Sequence, residues 1–271
     1  MRTLLHLSDL HFGRIDPATL DPLRRAIHEA KPDLVAISGD FTQRARRREF
    51  AAARAFLDSI EAPKLLVPGN HDVPYWTSVA RRFFQPLDRY REYISDDLEP
   101  EYEDDEMIVV GVNTARSLAN GGGRISTRQV DRVVRRIAGL PQAIVRIIVT
   151  HHPFDLPPGV REYRLLGRAR MAMARLSKAN ADLFLSGHLH LSHASRAADR
   201  YRIEGHSGLI VQAGTVSSRS RGEAPSFNLL RIARPDITLT KFVWSAEASG
   251  FTASDWGRYR HAEGGWVGVA G

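Results

Sequence analysis

The 271-residue chain contains no cysteine. That excludes disulfides, thiolate zinc sites and cysteine nucleophiles, and it fits a reducing compartment. Lysine is nearly absent too. Only Lys31, Lys64, Lys178 and Lys241 are lysines among 38 basic residues, so the formal charge of +7 rests on arginine. Such a balance favours anionic partners, phosphate among them. The densest basic run, Arg44-Ala45-Arg46-Arg47-Arg48, opens a helical segment and has no interleaved aromatic residues. A compositional bias toward arginine on a solvated surface is therefore expected ahead of a nucleic-acid platform. No apolar run approaches the roughly 18 residues of a membrane span. The start, Met1-Arg2-Thr3-Leu4-Leu5, is interrupted by His6, Ser8 and Asp9, and no small-residue cleavage site follows. A soluble, cytoplasmic protein is the expectation, with a homodimer as one admissible assembly. There is no proline-rich linker, composition break or internal repeat, which points to a single domain over residues 1–244. Residues 245–271 are rich in Gly, Ser and Ala yet carry Trp256, Tyr259 and Trp266, and read as a tail that is either docked or frayed.

Five short apolar runs each stop at residues able to hold a metal ion. Thr3–Leu7 meets Ser8-Asp9-Leu10-His11, and Leu34–Ile37 meets Ser38-Gly39-Asp40. Leu65–Val67 meets Gly69-Asn70-His71-Asp72, Ile144–Val149 meets Thr150-His151-His152-Pro153, and Leu183–Leu185 meets Ser186-Gly187-His188-Leu189-His190. In open α/β sheets the ligand crevice lies outside the carboxyl ends of the strands. Five such ends rich in Asp, Asn and His point to one shared site. Oxygen and imidazole ligands without thiolate suit Mn, Fe, Zn, Co or Ni better than Ca or Mg. Each motif alone is weak, since a histidine beside an apolar strand is usually structural. The ordered series of five carries the signal.

Strands and helices alternate to about residue 190. Helices are expected over Asp16–Ala30 with Pro17 in the first turn, Arg46–Ile60, Tyr75–Ile94 interrupted at Pro86, a capped helix from Ser126 to about Ala138, and Arg168–Asn180. Beyond His190 only strands are expected, at Tyr201–Ile203, Leu209–Gln212, Ser226–Ile232 and Ile237–Trp244. Two sheets packed face to face with helices outside accommodate both halves.

The series D-x-H, G-D, G-N-H-D, H-H-P, G-H-x-H resembles that of the calcineurin-like metallophosphoesterase superfamily over residues 1 to about 190. The opening Leu5-His6-Leu7-Ser8-Asp9-Leu10-His11-Phe12-Gly13 and the compact length resemble the bacterial class III cyclic-nucleotide phosphodiesterase branch. The resemblance implies a four-layer αββα sandwich of two mixed sheets, with the strands after His190 in the second sheet. It implies two divalent or mixed-valence ions, one held by Asp9, His11, Asp40 and His190, the other by Asp40, Asn70, His151 and His188. Asp40 would bridge them. Such a pair clamps a phosphoryl group and generates hydroxide near neutral pH. His71 would face the substrate as the catalytic residue on the leaving oxygen. Asp72 would orient a nearby loop or histidine, and His152 would stand behind the metals. Arg116, at another strand end in Asn113-Thr114-Ala115-Arg116, is a candidate phosphate donor, and Gly121–Gly123 a loop over the site.

The leading function is hydrolysis of a small phosphodiester, with 3',5'-cyclic nucleotides one candidate. The alternatives are a nuclease, a glycerophosphodiesterase or a nucleotide-lipid pyrophosphatase of the same superfamily. The last would need an apolar lid, for which Phe154–Val160 is the candidate. A non-catalytic scaffold on the same fold would have lost ligands or His71, and every one is present. No dedicated group for the extra charge of a monoester is recognisable, so diesters are expected to be the better substrates.

Overall fold

The computed structural model describes residues 1–118, 121–203, 205–219 and 221–269. Its strands are β1 (Arg2–Leu7), β2 (Leu34–Ile37), β3 (Lys64–Leu66), β4 (Glu101–Glu103), β5 (Met107–Val112), β6 (Val145–Thr150), β7 (Leu183–Ser186), β8 (His193–Arg196), β9 (Leu209–Gln212), β10 (Ser226–Ala233), β11 (Asp236–Ser245), β12 (Gly250–Ala262) and β13 (Gly265–Val269). Its helices are α1 (Pro17–Ala30), α2 (Arg47–Asp58), α3 (Val79–Phe84), α4 (Asp88–Tyr93), α5 (Thr127–Ile137), α6 (Ala169–Lys178) and the single turn α7 (Ala197–Arg200). One sheet has the order β13-β12-β11-β10-β1-β2-β3, the other β4-β5-β6-β7-β9-β8. Both are mixed. The β1–β2–β3 pairings are parallel, as are β5–β6–β7–β9, whereas β10–β13 and the edges β4 and β8 pair antiparallel.

The apolar periodicity builds three cores. Alternate residues of the strands, among them Leu4, Ala36, Leu65, Val109, Ile147, Leu185, Val211 and Leu230, meet between the two sheets. The intervening residues point outward. Leu5, Val35 and Ile37 pack with Leu23 and Ile27 of α1 and Phe50, Ala53 and Phe56 of α2. Val110 and Ile148 pack with Val130 and Val133 of α5 and Met173 and Leu176 of α6. The result is a helix–sheet–sheet–helix sandwich, and it explains why the central strands read as continuous apolar runs: they are covered on both faces. Burying a Leu, Ile or Phe side chain contributes roughly 1.5–3 kcal/mol each.

The helix starts follow their caps. Asp16 accepts from Ala18 N ahead of Pro17, and Ser126 with Gln129 forms a reciprocal capping box at α5. The Tyr75–Ile94 segment is divided into a 3-10 turn at Trp76–Ser78, α3 and α4, with the break around Pro86. Three expectations change. The strands after His190 do not form a sheet of their own: β8 and β9 extend the sheet of β4–β7, and β10 joins β1. Tyr201–Ile203 is not a strand. Tyr201 and Ile203 pack on the outer core, and the Tyr201 hydroxyl donates to Phe154 O. One helical turn, α7, does occur in this part. The tail expected over residues 245–271 takes the form of strands, because β12 and β13 continue the first sheet, with Trp266 buried in the inter-sheet core.

Candidate metal centre

The ends of β1, β2, β3, β6 and β7 converge, and cross-links between their loops fix the convergence. Asp9 N donates to Gly39 O at 3.0 Å and His11 N to Asp40 O at 2.9 Å. His71 N donates to Asp40 Oδ1 at 2.7 Å, and His188 N to Asp9 Oδ2 at 2.8 Å. Two glycines make the approach possible. A Cβ at Gly187 would lie 1.7 Å from Ser8 Oγ, and one at Gly69 would lie 2.2 Å from Asp40 Oδ1. Asp9, His11, Asp40, His188 and His190 all have positive φ, between 44° and 70°. Such residues cost about 1–3 kcal/mol each and persist where the surroundings over-determine them, characteristically at functional sites.

The side chains gather into two overlapping sets. Asp9 Oδ1 lies 3.5 Å from His11 Nε2 and 3.1 Å from His190 Nε2, while His11 Nε2 is 3.7 Å from Asp40 Oδ2. On the other side, His151 Nε2 is 3.4 Å from Asp40 Oδ2 and 3.1 Å from Asn70 Oδ1. His188 packs its ring 5.2 Å from that of His151. Asp40 thus stands between the sets.

The tautomers are fixed from outside. His11 Nδ1 donates to Thr42 O at 3.2 Å, His151 Nδ1 to Ser38 O at 2.7 Å, and His190 Nδ1 to Arg219 O at 2.5 Å. A carbonyl can only accept, so each Nε2 is left to face the carboxylates with whatever cation they recruit. His11 Nε2 and His190 Nε2 are 3.1 Å apart, so at most one proton fits between them. Asp9 Oδ1 and His188 Nε2 are buried without a hydrogen-bond partner among the described residues. Burial, then the charge of His151, holds His188 well below its ordinary pKa, which keeps its nitrogen lone pair free. Burial alone would raise the two carboxylates, yet neighbouring histidines hold Asp9 and Asp40 below the usual range, chiefly His190 for Asp9 and His151 for Asp40. Burial opposes protonation of His151, but the Asp40 charge outweighs it and pushes the imidazole up to about 9. A divalent ion would take over that proton's role, and the donor set, carboxylate with imidazole and amide oxygen, fits such an ion.

The other expected site residues fall as follows. His71 is outside both sets, with its ring edge-on to His11 at 4.9 Å. It donates from Nδ1 to Gln43 O at 2.7 Å, and its Nε2 accepts from Arg219 at 3.0 Å. Asp72 is buried and accepts from Gly69 N, Phe41 N, Thr42 N and the Thr42 hydroxyl, clamping the loops after β2 and β3 together. Burial, with Asp40 nearby, raises it to about 7. His152 shares a hydrogen bond of 2.8 Å with the Thr114 hydroxyl and lies against the His188 ring, 4.7 Å between centroids.

Arg116 is not at the centre. Its guanidinium donates to Asn113 O, Ala115 O and Gln129 Oε1, because it serves to brace its own loop against the start of α5. Phe154 is no lid residue, being buried against Phe184 at 5.1 Å. Arg164, Arg219 and Arg221 do reach the site. They line, with His71, His188 and His190, a cavity of about 320 Å³ over the metal centre. In a chain where almost every basic residue is arginine, nothing local in the sequence marks these three. Their presence removes the ground on which monoesters were expected to be poor substrates.

A family model described as calcineurin-like phosphoesterase matches residues 2–192. The chain belongs to that family. Residues of this chain are 36% identical over 85 positions to the glycerophosphodiester phosphodiesterase GpdQ of Enterobacter lignolyticus, covering 26% of this chain and 29% of that protein. A probable glycerophosphodiester phosphodiesterase GpdQ of Arcobacter nitrofigilis is 26% identical over 165 positions, covering 59% of this chain and 57% of its own length. The matches therefore span less than two thirds of either relative. Among solved structures, the purple acid phosphatase PPD1 from yellow lupin superposes with a TM-score of 0.63 at 11% identity, over 94% of this chain and 52% of that one. Vps29 of Chaetomium thermophilum superposes with a TM-score of 0.51 at 15% identity, over 96% and 99%. At these identities the structural likenesses speak for the fold alone.

Proposed function

We propose that the chain is a phosphodiesterase that works with two metal ions. One is held by Asp9, His11, Asp40 and His190, the other by Asp40, Asn70, His151 and His188. The observation that carries this reading is the set of imidazoles whose Nδ1 atoms are tied to backbone carbonyls, leaving Nε2 to meet the oxygens of Asp9, Asp40 and Asn70. Two divalent ions bound there would neutralise phosphoryl charge and supply an activated water.

The chain's own residues do the rest. Asp72 and the Gly69 turn hold Asn70 and His71 in register with Asp40. The amide of Asn70 supplies a ligand oxygen without adding charge against an anionic substrate. His71 presents Nε2 to the cavity, positioned to donate a proton to the leaving oxygen. That role needs a proton on Nε2, where Arg219 now donates, so Arg219 must turn away from His71 when substrate is engaged. The glycerophosphodiesterases among its relatives favour a small diester over a nucleic-acid strand. Cyclic nucleotides are a second small-diester candidate, resting on the resemblance of the opening motif.

The test is hydrolysis of bis-p-nitrophenyl phosphate, a glycerophosphodiester and 3',5'-cyclic AMP by protein stripped with chelator and then reloaded. Activity that disappears on stripping and returns with Mn, Zn, Fe or Co supports the reading. Full activity after exhaustive chelation contradicts it.

A further inference from the structure

Arg164, Arg219 and Arg221 are the positive wall of the cavity over the metal centre. Several arginines elsewhere in the protein stand against carboxylates, such as Arg2 against Asp104 at 2.8 Å, Arg132 against Glu101 at 3.0 Å and Arg136 against Glu101 at 2.8 Å. Among the described residues no carboxylate is paired with any of the three wall arginines. The acidic residues next to them in sequence are engaged elsewhere. Glu162 is taken by Arg200 at 2.6 Å, and Glu223 by Ser192 N and Lys241 at 3.0 and 3.1 Å. Partial desolvation of its head group, then the charges of Arg164 and Arg219, lower Arg221 from its ordinary value. The carboxylates near these three guanidiniums are Asp9 and Asp40 of the metal centre, whose charge bound metal ions would take up, so an added anion would complete the wall. The scissile phosphodiester carries a single negative charge, which the metal centre already meets. The wall therefore has room for more negative charge than a simple diester brings.

We propose that the substrate is a phosphodiester bearing a further phosphate group, and that Arg164, Arg219 and Arg221 bind that second group. The inference deepens the phosphodiesterase reading and rests on it. Forked guanidiniums match phosphate oxygens geometrically, and each charge-assisted contact retained in the transition state is worth about tenfold to a hundredfold in affinity or rate.

The matched pair ApA and 5'-phosphorylated pApA isolates one added phosphate. With the metal-loaded protein, kcat/KM for pApA should exceed that for ApA by about tenfold or more. In Arg164→Ala and Arg221→Ala the value for pApA should fall further than that for ApA, moving the ratio toward one. Calorimetry supplies a readout independent of turnover. Methylenebisphosphonate should bind more tightly than methylphosphonate to the wild type, and the gap should narrow in Arg221→Ala. Equal kcat/KM values for the two dinucleotides, or a ratio that both variants leave unchanged, would overturn the proposal. If no diester is cut, bis-p-nitrophenyl phosphate included, the phosphodiesterase reading has failed. The calorimetric comparison then still decides about the arginines: equal affinities for the two phosphonates reject them as a second-phosphate site.

Discussion

At the scale of single residues, the proposed function separates metal holding from chemistry. The two ring nitrogens of His71 are engaged by Gln43 O and Arg219. His71→Ala should therefore keep the bound metal while lowering turnover of an alkyl diester about 10²–10⁴-fold, the usual worth of a general acid. The loss should shrink for bis-p-nitrophenyl phosphate, whose leaving group departs without a proton. Equal losses on both substrates contradict the acid role. Arg116 gives the opposite pattern. Its three hydrogen bonds are internal to the loop and α5, so Arg116→Ala should cost about 1–2 kcal/mol of stability in denaturant unfolding. KM should change little, whereas a large KM increase with unaltered stability would restore Arg116 to the substrate. That Asp9, His11, Asp40, Asn70, His151, His188 and His190 meet at one place was readable from sequence because each follows an apolar strand. Arg164, Arg219 and Arg221 were not, because arginine is the default cation of this chain and their meeting depends on loops distant in sequence.

At the scale of elements, Asp155 ties the loop after β6 to β8 and α7. It accepts from the Ser195 hydroxyl at 2.6 Å, from His193 Nε2 at 3.2 Å and from Arg200 at 3.2 Å. Burial works against its ionisation, but the hydrogen bonds from His193 and Ser195 bring its pKa down to about 2. A depressed carboxylate pKa contributes stability above the unfolded value near 4, and that contribution is lost as pH falls through the folded value. Asp155→Asn should thus cost about 2 kcal/mol at neutral pH, with the difference from wild type closing between about pH 4 and pH 2. A constant difference across that range in urea titrations would contradict the assignment. The same region shows where patterning failed. β8 is four residues long and partly exposed, α7 is one turn, and the apolar pair Tyr201 and Ile203 imitates a strand while packing as a loop. β12 was hidden because it exposes polar residues such as Thr252, Ser254 and Asp255 among its aromatics, so composition resembled a tail.

At the scale of the whole molecule, the sandwich brings five strand ends to one edge, and the site exists only because both sheets contribute. Asp9, Asp40 and Asn70 follow strands of one sheet, and His151, His188 and His190 follow strands of the other. The two-sheet architecture was legible because strands covered on both faces give unbroken apolar runs. The exchange of strands between halves was not, since hydrophobic pattern fixes which face a strand buries and not which neighbour it pairs with. In the proposed centre one carboxylate, Asp40, is shared between two ions. The measurement that tests it most directly is elemental analysis of metal per chain in the folded wild type and in Asp40→Ala after reloading and gel filtration. The account predicts two equivalents in the wild type, a loss at both positions in the variant, and abolished diester hydrolysis. Two equivalents retained by folded Asp40→Ala, with normal turnover, would contradict it.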